Sequence, residues 1–359
     1  MFTKVKNLFY DDISIDLGTA NTLIYQKYKG IILNEPSVVA VMNKDLESGS
    51  EKILAVGAEA KKMFGRTPLS IQAIRPLRDG VIANFQVAER MLQHFIKKIY
   101  AERMFTPYTR VLVCVPCNAN QVDCRAIRES AISAGAKKVF LIEEPMAAAI
   151  GVGMDIEKAR GSMVVDIGGG TTEIAIIALN GIVYSSSTKI GGDRCDDSII
   201  SYLKRHFGIL VGESTAEYIK MNLGCAMYQE EVDTLQSMNV RGRNIATGVP
   251  ISVTVTNRDI FMALQEPLQQ MLNAITTALD ASPPELSADL VENGIILTGG
   301  GALLANLDKF INSIIKVPVM VAPDPLTCVA RGGGKVLEML TDSFEKAQEL
   351  LLNTNTIHN

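Results

Sequence analysis

The chain has 359 residues, 47% of them hydrophobic and 21% charged, with a net charge of −4. That length fits two domains, and the charge lacks the global basic field that nucleic acid demands. No run of about 18 uncharged apolar residues exists, which excludes a membrane-spanning helix; the best candidate, Ala147 to Met154, is too short. Asp11 and Asp12 interrupt the N-terminus before an apolar signal core develops. Cys114, Cys117, Cys124, Cys195, Cys225 and Cys328 read as reduced thiols, so the expectation is a cytosolic, two-lobed α/β protein.

Residues 1–9 place Phe2, Val5 and Phe9 within about 60° of one another on a helical wheel, with Leu8 beside them. Lys4 lies opposite and Lys6 on the flank. Two readings stand: a terminus packed on its own domain, or an interfacial membrane anchor with snorkelling lysines. From Ile13 the pattern becomes β run, glycine turn, β run. RVLVCVP (110–116) and KVFLIEE (138–144) read as buried strands, with a helix from Asn120 to Gly135 between them. Residues 162–179 repeat the strand–turn–strand pattern. Residues 197–238 read mostly helical, 248–256 as a strand, and Asp259 to Leu279 as a long helix kinked at Pro267. Residues 294–304 read as strand, glycine turn and helix start, and Gly334 to Leu352 as a helix before a disordered end. Alternating strands and helices define α/β layers.

Asp16 aligns with Asp166 at an offset of 150 residues, pairing Ile15 with Val165, Gly18 with Gly168, Thr22 with Thr172 and Ile24 with Ile174. One Asp-x-Gly turn is weak evidence, but two copies half a chain apart describe two lobes on one plan, facing each other across a cleft. The chemistry of each copy is phosphate binding. Glycines let backbone N–H groups approach oxyanions, and Thr19, Asn21 and Thr22 in the first loop, with Thr171 and Thr172 in the second, add side-chain donors. Carboxylates repel phosphate, so Asp16 and Asp166 make sense with a divalent cation between, held through water as Mg²⁺ prefers. The bland alternative is two hairpins with glycine turns. A third element, Thr298-Gly299-Gly300-Gly301-Ala302, puts backbone beside a ligand; it matches neither a Walker A loop nor a dinucleotide fingerprint. Arg331-Gly332-Gly333-Gly334 reads as a tight helix-packing turn.

DLGTANT, LIEEPMAAAIG, VVDIGGGTTE, ILTGGGALL and PLTCVARGGGK follow the order and spacing of the actin, heat-shock chaperone and sugar-kinase superfamily. Their wording resembles the MreB family of bacterial actins over about Asp12 to Glu338, as do LNEPSVVA, IRPLRDGVIANF, GGDRCDD, RGRNIATGVP and MALQEPL. The resemblance implies an actin-like fold: two related lobes with ribonuclease H-like cores, each with a smaller outer subdomain, and ATP in the cleft. Lobe I would hold 11–155, with 36–80 as its outer subdomain. Lobe II would hold 156–340, with 197–257 outside. The tail would be 341–359, and 1–10 the membrane-binding segment. The implied phosphate loops run Asp16, Gly18, Thr19, Ala20, Asn21, Thr22 and Asp166, Gly168, Gly169, Gly170, Thr172. The adenosine side falls on Gly299, Gly300, Gly301 and Ala302, with Glu217 and Lys220 on adenine and ribose.

Glu144 would orient or deprotonate the attacking water, with Thr171 holding the same water from the other lobe; Glu143 is the adjacent candidate. The implied partners are further copies of the chain in paired protofilaments, the inner face of the cytoplasmic membrane, and a RodZ-type membrane protein. The implied work is slow ATP hydrolysis in a filament that organises lateral wall synthesis and rod shape. Lys309 to Val317 is shorter than the family pattern, Cys195 replaces a larger apolar residue, and the tail is worded differently. A small-molecule kinase on the same fold is the competing class; a heat-shock chaperone would need a further peptide-binding domain. Burying Phe2, Val5, Leu8 and Phe9 is worth at most about 6–12 kcal/mol, against about 9–18 kcal/mol to order nine residues. Membrane binding would therefore depend on avidity in a filament. Cys114-x-x-Cys117 lacks a second pair or a nearby His and reads as structural. His94, His206 and His358 are scattered, and Asp196-Asp197 reads as a helix start.

Overall fold

The computed structural model describes residues 10–42, 52–101, 108–229, 234–342 and 344–352. The anchor candidates Phe2, Val5, Leu8 and Phe9, and the chain end after 352, lie outside them. The first half opens with β1 (Tyr10–Leu17), β2 (Asn21–Gln26) and β3 (Gly30–Pro36). An outer unit follows: β4 (Val39–Met42), β5 (Lys52–Val56), α1 (Ala58–Met63) and β6 (Ile71–Ile74). The chain continues through β7 (Leu77–Arg78), β8 (Val81–Ile82), α2 (Phe85–Ile99), β9 (Tyr108–Val115), α3 (Gln121–Ser133), β10 (Lys138–Glu143) and α4 (Glu144–Val152). The second half opens with β11 (Ser162–Ile167), β12 (Thr172–Ala178) and β13 (Gly181–Thr188). Its outer unit holds α5 (Gly192–His206), β14 (Ile209–Leu210), α6 (Glu213–Leu223), β15 (Ser237–Asn244) and β16 (Pro250–Thr256). Then come α7 (Asn257–Asp280), α8 (Pro284–Asn293), β17 (Ile295–Thr298), α9 (Leu307–Ile315), β18 (Val319–Val321), α10 (Cys328–Asp342) and α11 (Phe344–Leu350).

The two large sheets have the same plan. Their orders are β3-β2-β1-β9-β10 and β13-β12-β11-β17-β18. In each, three antiparallel strands precede two parallel ones. Asp16 lies opposite Leu23 and Cys114, while Asp166 lies opposite Glu173 and Thr298, so the 150-residue offset is a register equivalence. We call the two halves lobe I and lobe II. Central strands buried on both faces read as continuous apolar runs, as in Val111–Val115 and Ile174–Ala178.

Local chemistry sets the helices. In α2, Val87, Met91 and Phe95 with Ala88, Leu92 and Ile96 form one buried stripe. Asn120 with Asp123 and Thr256 with Asp259 close capping boxes on α3 and α7. Helix α7 runs through the buried Pro267 without a break. Helices α4 and α10 lie between the sheets, in a core that draws Leu112 and Ile142 from lobe I and Val164 and Ala175 from lobe II. Here Gly332 is no turn: the glycine run sits inside α10. A Cβ on Gly332 would overlap the Ala147 carbonyl, and one on Gly151 the Cys328 carbonyl, so only glycine lets these helices touch. The 197–238 segment is also less helical than its composition reads; α6 ends at Leu223 and β15 begins at Ser237. Strand β15 is polar and mostly solvent-facing, so it carries little apolar signal. Among the described residues, no helix is long and apolar enough to cross a membrane.

Candidate functional site: a cleft between two phosphate-type loops

The turns after β1 and β11 meet across the lobes. A Cβ on Gly169 would lie 2.7 Å from the Ala20 Cβ, and one on Gly170 would lie 2.7 Å from the Thr19 hydroxyl. The Gly80 N–H donates to that hydroxyl at 3.3 Å. Thr22 and Thr172, equivalent by the repeat, are both fully buried. Ser37 donates to the Gly18 carbonyl at 2.7 Å, so its pairing with Thr22 at 2.9 Å uses the Thr22 proton. Thr172 donates to the Ile190 carbonyl at 2.6 Å. Both threonines therefore brace their loops, and the donors left for an oxyanion are backbone N–H groups with Thr19, Asn21 and Thr171. The second loop is pinned by α5: Gly192 and Asp193 N–H groups donate to the Gly168 and Gly169 carbonyls at 3.0 and 2.8 Å. For that reason α5 starts at Gly192, and Asp196 lies within it rather than at a helix start.

Gly299 has φ +79, and a Cβ there or on Gly301 would strike Ile167 at the end of β11. Ala302 is buried, whereas Gly300 and Gly301 line a cleft of about 2070 Å³. Ala20, Asn21, Gly168, Gly169, Glu217 and Lys220 also line it. Lys220 is already engaged, with Asp196 at 2.9 Å and the Gly192 carbonyl at 2.8 Å. Asp16, Glu144, Asp166, Gly170 and Thr171 do not line this cleft.

Asp16, Glu144 and Asp166 instead crowd together beneath the two glycine loops, as an acidic floor to the loops rather than to the open cleft. Burial, then the Asp166 charge, pushes the Asp16 carboxyl up to about 7. Burial raises Asp166 to about 6, against the pull of the Thr298 hydroxyl, which donates to it at 2.6 Å. Glu144 is held well above the ordinary carboxylate range by burial, then by the charges of Glu173, Asp16 and Asp166. Burial and Glu173 raise Glu143 as well. Anionic side chains that resist ionisation together accept a cation readily. Among the described residues no group of three His, Cys, Asp or Glu side chains forms a direct metal cage. Such a floor fits Mg²⁺ held through water and phosphate.

Ion pairs that no motif announces join the two lobes. Lys61 on α1 meets Glu217 on α6 at 2.8 Å. Arg75 meets Asp193 at 2.7 Å and Glu213 at 3.9 Å. Lys189 reaches Asp79 at 3.7 Å. Each joins side chains far apart in sequence, so spacing carries no trace of them.

Two repeat-related sheets, glycine loops opposed across a cleft and an acidic floor define the actin-like class of nucleotide-binding proteins. Within that class the profile of the family described as MreB/Mbl protein matches residues 10–345, and the chain belongs to that family. It is 58% identical over 340 residues to the cell shape-determining protein MreB of Escherichia coli (strain K12), covering 95% of this chain and 97% of that protein. It is 49% identical over 331 residues to the cell shape-determining protein Mbl of Bacillus subtilis (strain 168), covering 92% and 97%. The crystal structure of MreB5 of Spiroplasma citri bound to ADP superposes with a TM-score of 0.86 at 34% identity, covering 94% of this chain and 99% of that one.

Proposed function

We propose that this protein is an ATP-dependent, filament-forming bacterial actin that works on the inner face of the cytoplasmic membrane. There it organises lateral wall synthesis and maintains rod shape. The observation that carries the reading is the pair of repeat-related loops at Gly18–Asn21 and Gly168–Thr171, packed face to face above an acidic floor. Phosphates would lie between the loops, with the adenosine toward Gly300, Glu217 and Lys220. Two solved MreB5 structures carry ADP and AMPPNP, which supports a nucleotide in the equivalent cleft. Mg²⁺ beside Asp16 and Asp166 would neutralise charge on the phosphates. Glu144, whose proton affinity is raised, is suited to take a proton from an attacking water, and Thr171 to orient that water. Because Glu144 and Thr171 belong to different lobes, hydrolysis would follow lobe closure and run slowly as a timer of the polymer.

Self-association is supported by the family and by a likeness in fold to the MamK double helical filament, at TM-score 0.75 and 22% identity. Membrane attachment rests on Phe2, Val5, Leu8 and Phe9, which lead directly into β1. A RodZ-type membrane protein is the proposed anchor partner. Electron microscopy with ATP or ADP, with and without phosphatidylglycerol vesicles, tests this reading. Filaments that form with ATP and coat vesicles are expected. Phosphoryl transfer to a sugar panel, well above hydrolysis and without filaments, would replace it with a kinase.

A further inference from the structure

We infer that Glu173 is a positioning residue for nucleotide hydrolysis, tying the Cys117 loop of lobe I to β12 of lobe II and so setting Glu144 against Thr171. The inference rests on the hydrolytic reading above. Glu173 is 1% exposed. The Cys117 backbone N–H donates to its Oε2 at 2.9 Å, and the Ser187 hydroxyl on β13 donates to its Oε1. Cys117 follows the end of β9, where Val115 pairs with Glu143, the residue before Glu144. Glu173 itself follows Thr171 by two residues. One carboxyl thus joins the two chain segments that carry the hydrolytic pair. Packing closes the same floor: a Cβ on Gly80 would lie 3.1 Å from the Pro116 ring and 3.2 Å from the Thr171 methyl.

The fold does not require a carboxyl here. The repeat places Leu23 at the equivalent position of lobe I, opposite Asp16 and 3% exposed. Glu173 instead stands opposite Asp166, and its charge works against the ionisation of Glu143, Glu144 and Asp166. A leucine here would pack without adding a charge beside those acids. Local rules are broken in this way mainly at working sites.

The test uses the full-length chain as Glu173→Ala and Glu173→Gln, with steady-state ATPase measured beside the affinity for a fluorescent ATP analogue. The Ala variant should lose about 10- to 100-fold in kcat, as expected when a reacting pair is misplaced by about an ångström. KM and affinity should stay within about 3-fold, since ground-state binding is untouched. The Gln variant, whose amide oxygen still accepts from Cys117, should recover most of the rate. Ser187→Ala, which removes one brace, should lose about 2- to 10-fold in kcat at constant KM, and serves if the Ala variant does not fold. Unchanged kcat in the Ala variant, affinity falling in step with kcat, or a Gln variant as slow as Ala would each overturn the proposal. A wild type without ATPase activity would refute the hydrolytic reading itself, and this proposal with it.

Discussion

Removing the Asp16 charge should stabilise the nucleotide-free protein, and more so at higher pH. The structure pushes this carboxyl from its ordinary 3.8 to about 7, first by burial and second through Asp166. That gap corresponds to about 4 kcal/mol in favour of the protonated form. The folded chain binds the proton more tightly than the unfolded chain, so the associated stability is full below about pH 4 and is lost as pH rises through about 7. Between pH 5 and pH 8 the wild type should give up about 3 kcal/mol through this one group. Asp16→Asn keeps the shape and removes the titration. Relative to wild type, its Tm should therefore improve from pH 5 to pH 8 by an amount on the order of 5 °C for a chain of this size. Scanning fluorimetry with EDTA and no nucleotide reads the difference. Adding Mg-ATP at pH 8 should raise the wild-type Tm more than that of the variant. A Tm offset equal at both pH values, or a variant less stable at pH 8, would refute the reasoning.

Glu144→Ala should keep ATP affinity and slow hydrolysis by about 100- to 10,000-fold, the usual range for a lost acid–base group; unchanged single-turnover rates would remove Glu144 from its role. Lys61 and Glu217 are partly exposed, so their pair is worth about 0.2–1 kcal/mol. Lys61→Glu should speed nucleotide release by about 2- to 5-fold; stopped-flow release that ignores the change would show that the pair does not gate the cleft. Gly332→Ala gains about 1 kcal/mol in helix propensity but overpacks α10 on α4 at about 1–3 kcal/mol or more. A lowered Tm is expected, while Gly212→Ala, where a side chain meets open space, should leave it nearly unchanged. Equal melting of the two variants would show that the helix interface yields easily.

Much of the fold was legible because its signals are local. Continuous apolar runs marked β9, β11 and β12, and Asn120 and Asp259 marked the starts of α3 and α7. Strand β15 was not legible, since SMNVRGRN puts only Met238 and Val240 toward the core, too short an apolar pattern to read. By composition the three glycines of the RGGG run read as a tight helix-packing turn. Only contact with α4 makes them necessary.

The sequence by itself determined the two-lobed plan. An Asp-x-Gly turn copied at an offset of 150 residues must recur in equivalent places if the lobes fold alike, and the pairing of Asp16 with Leu23 and of Asp166 with Glu173 follows it residue for residue. Tertiary structure decided what each loop residue can still do. Whether a hydroxyl keeps its proton for a ligand depends on neighbours such as Ser37 and Ile190, which lie far along the chain. The closing pairs Lys61–Glu217 and Arg75–Asp193, and the tie from Glu173 to Cys117, were likewise set only in space. Charges and hydrogen bonds act through distance, and distance across a cleft leaves no period in a sequence.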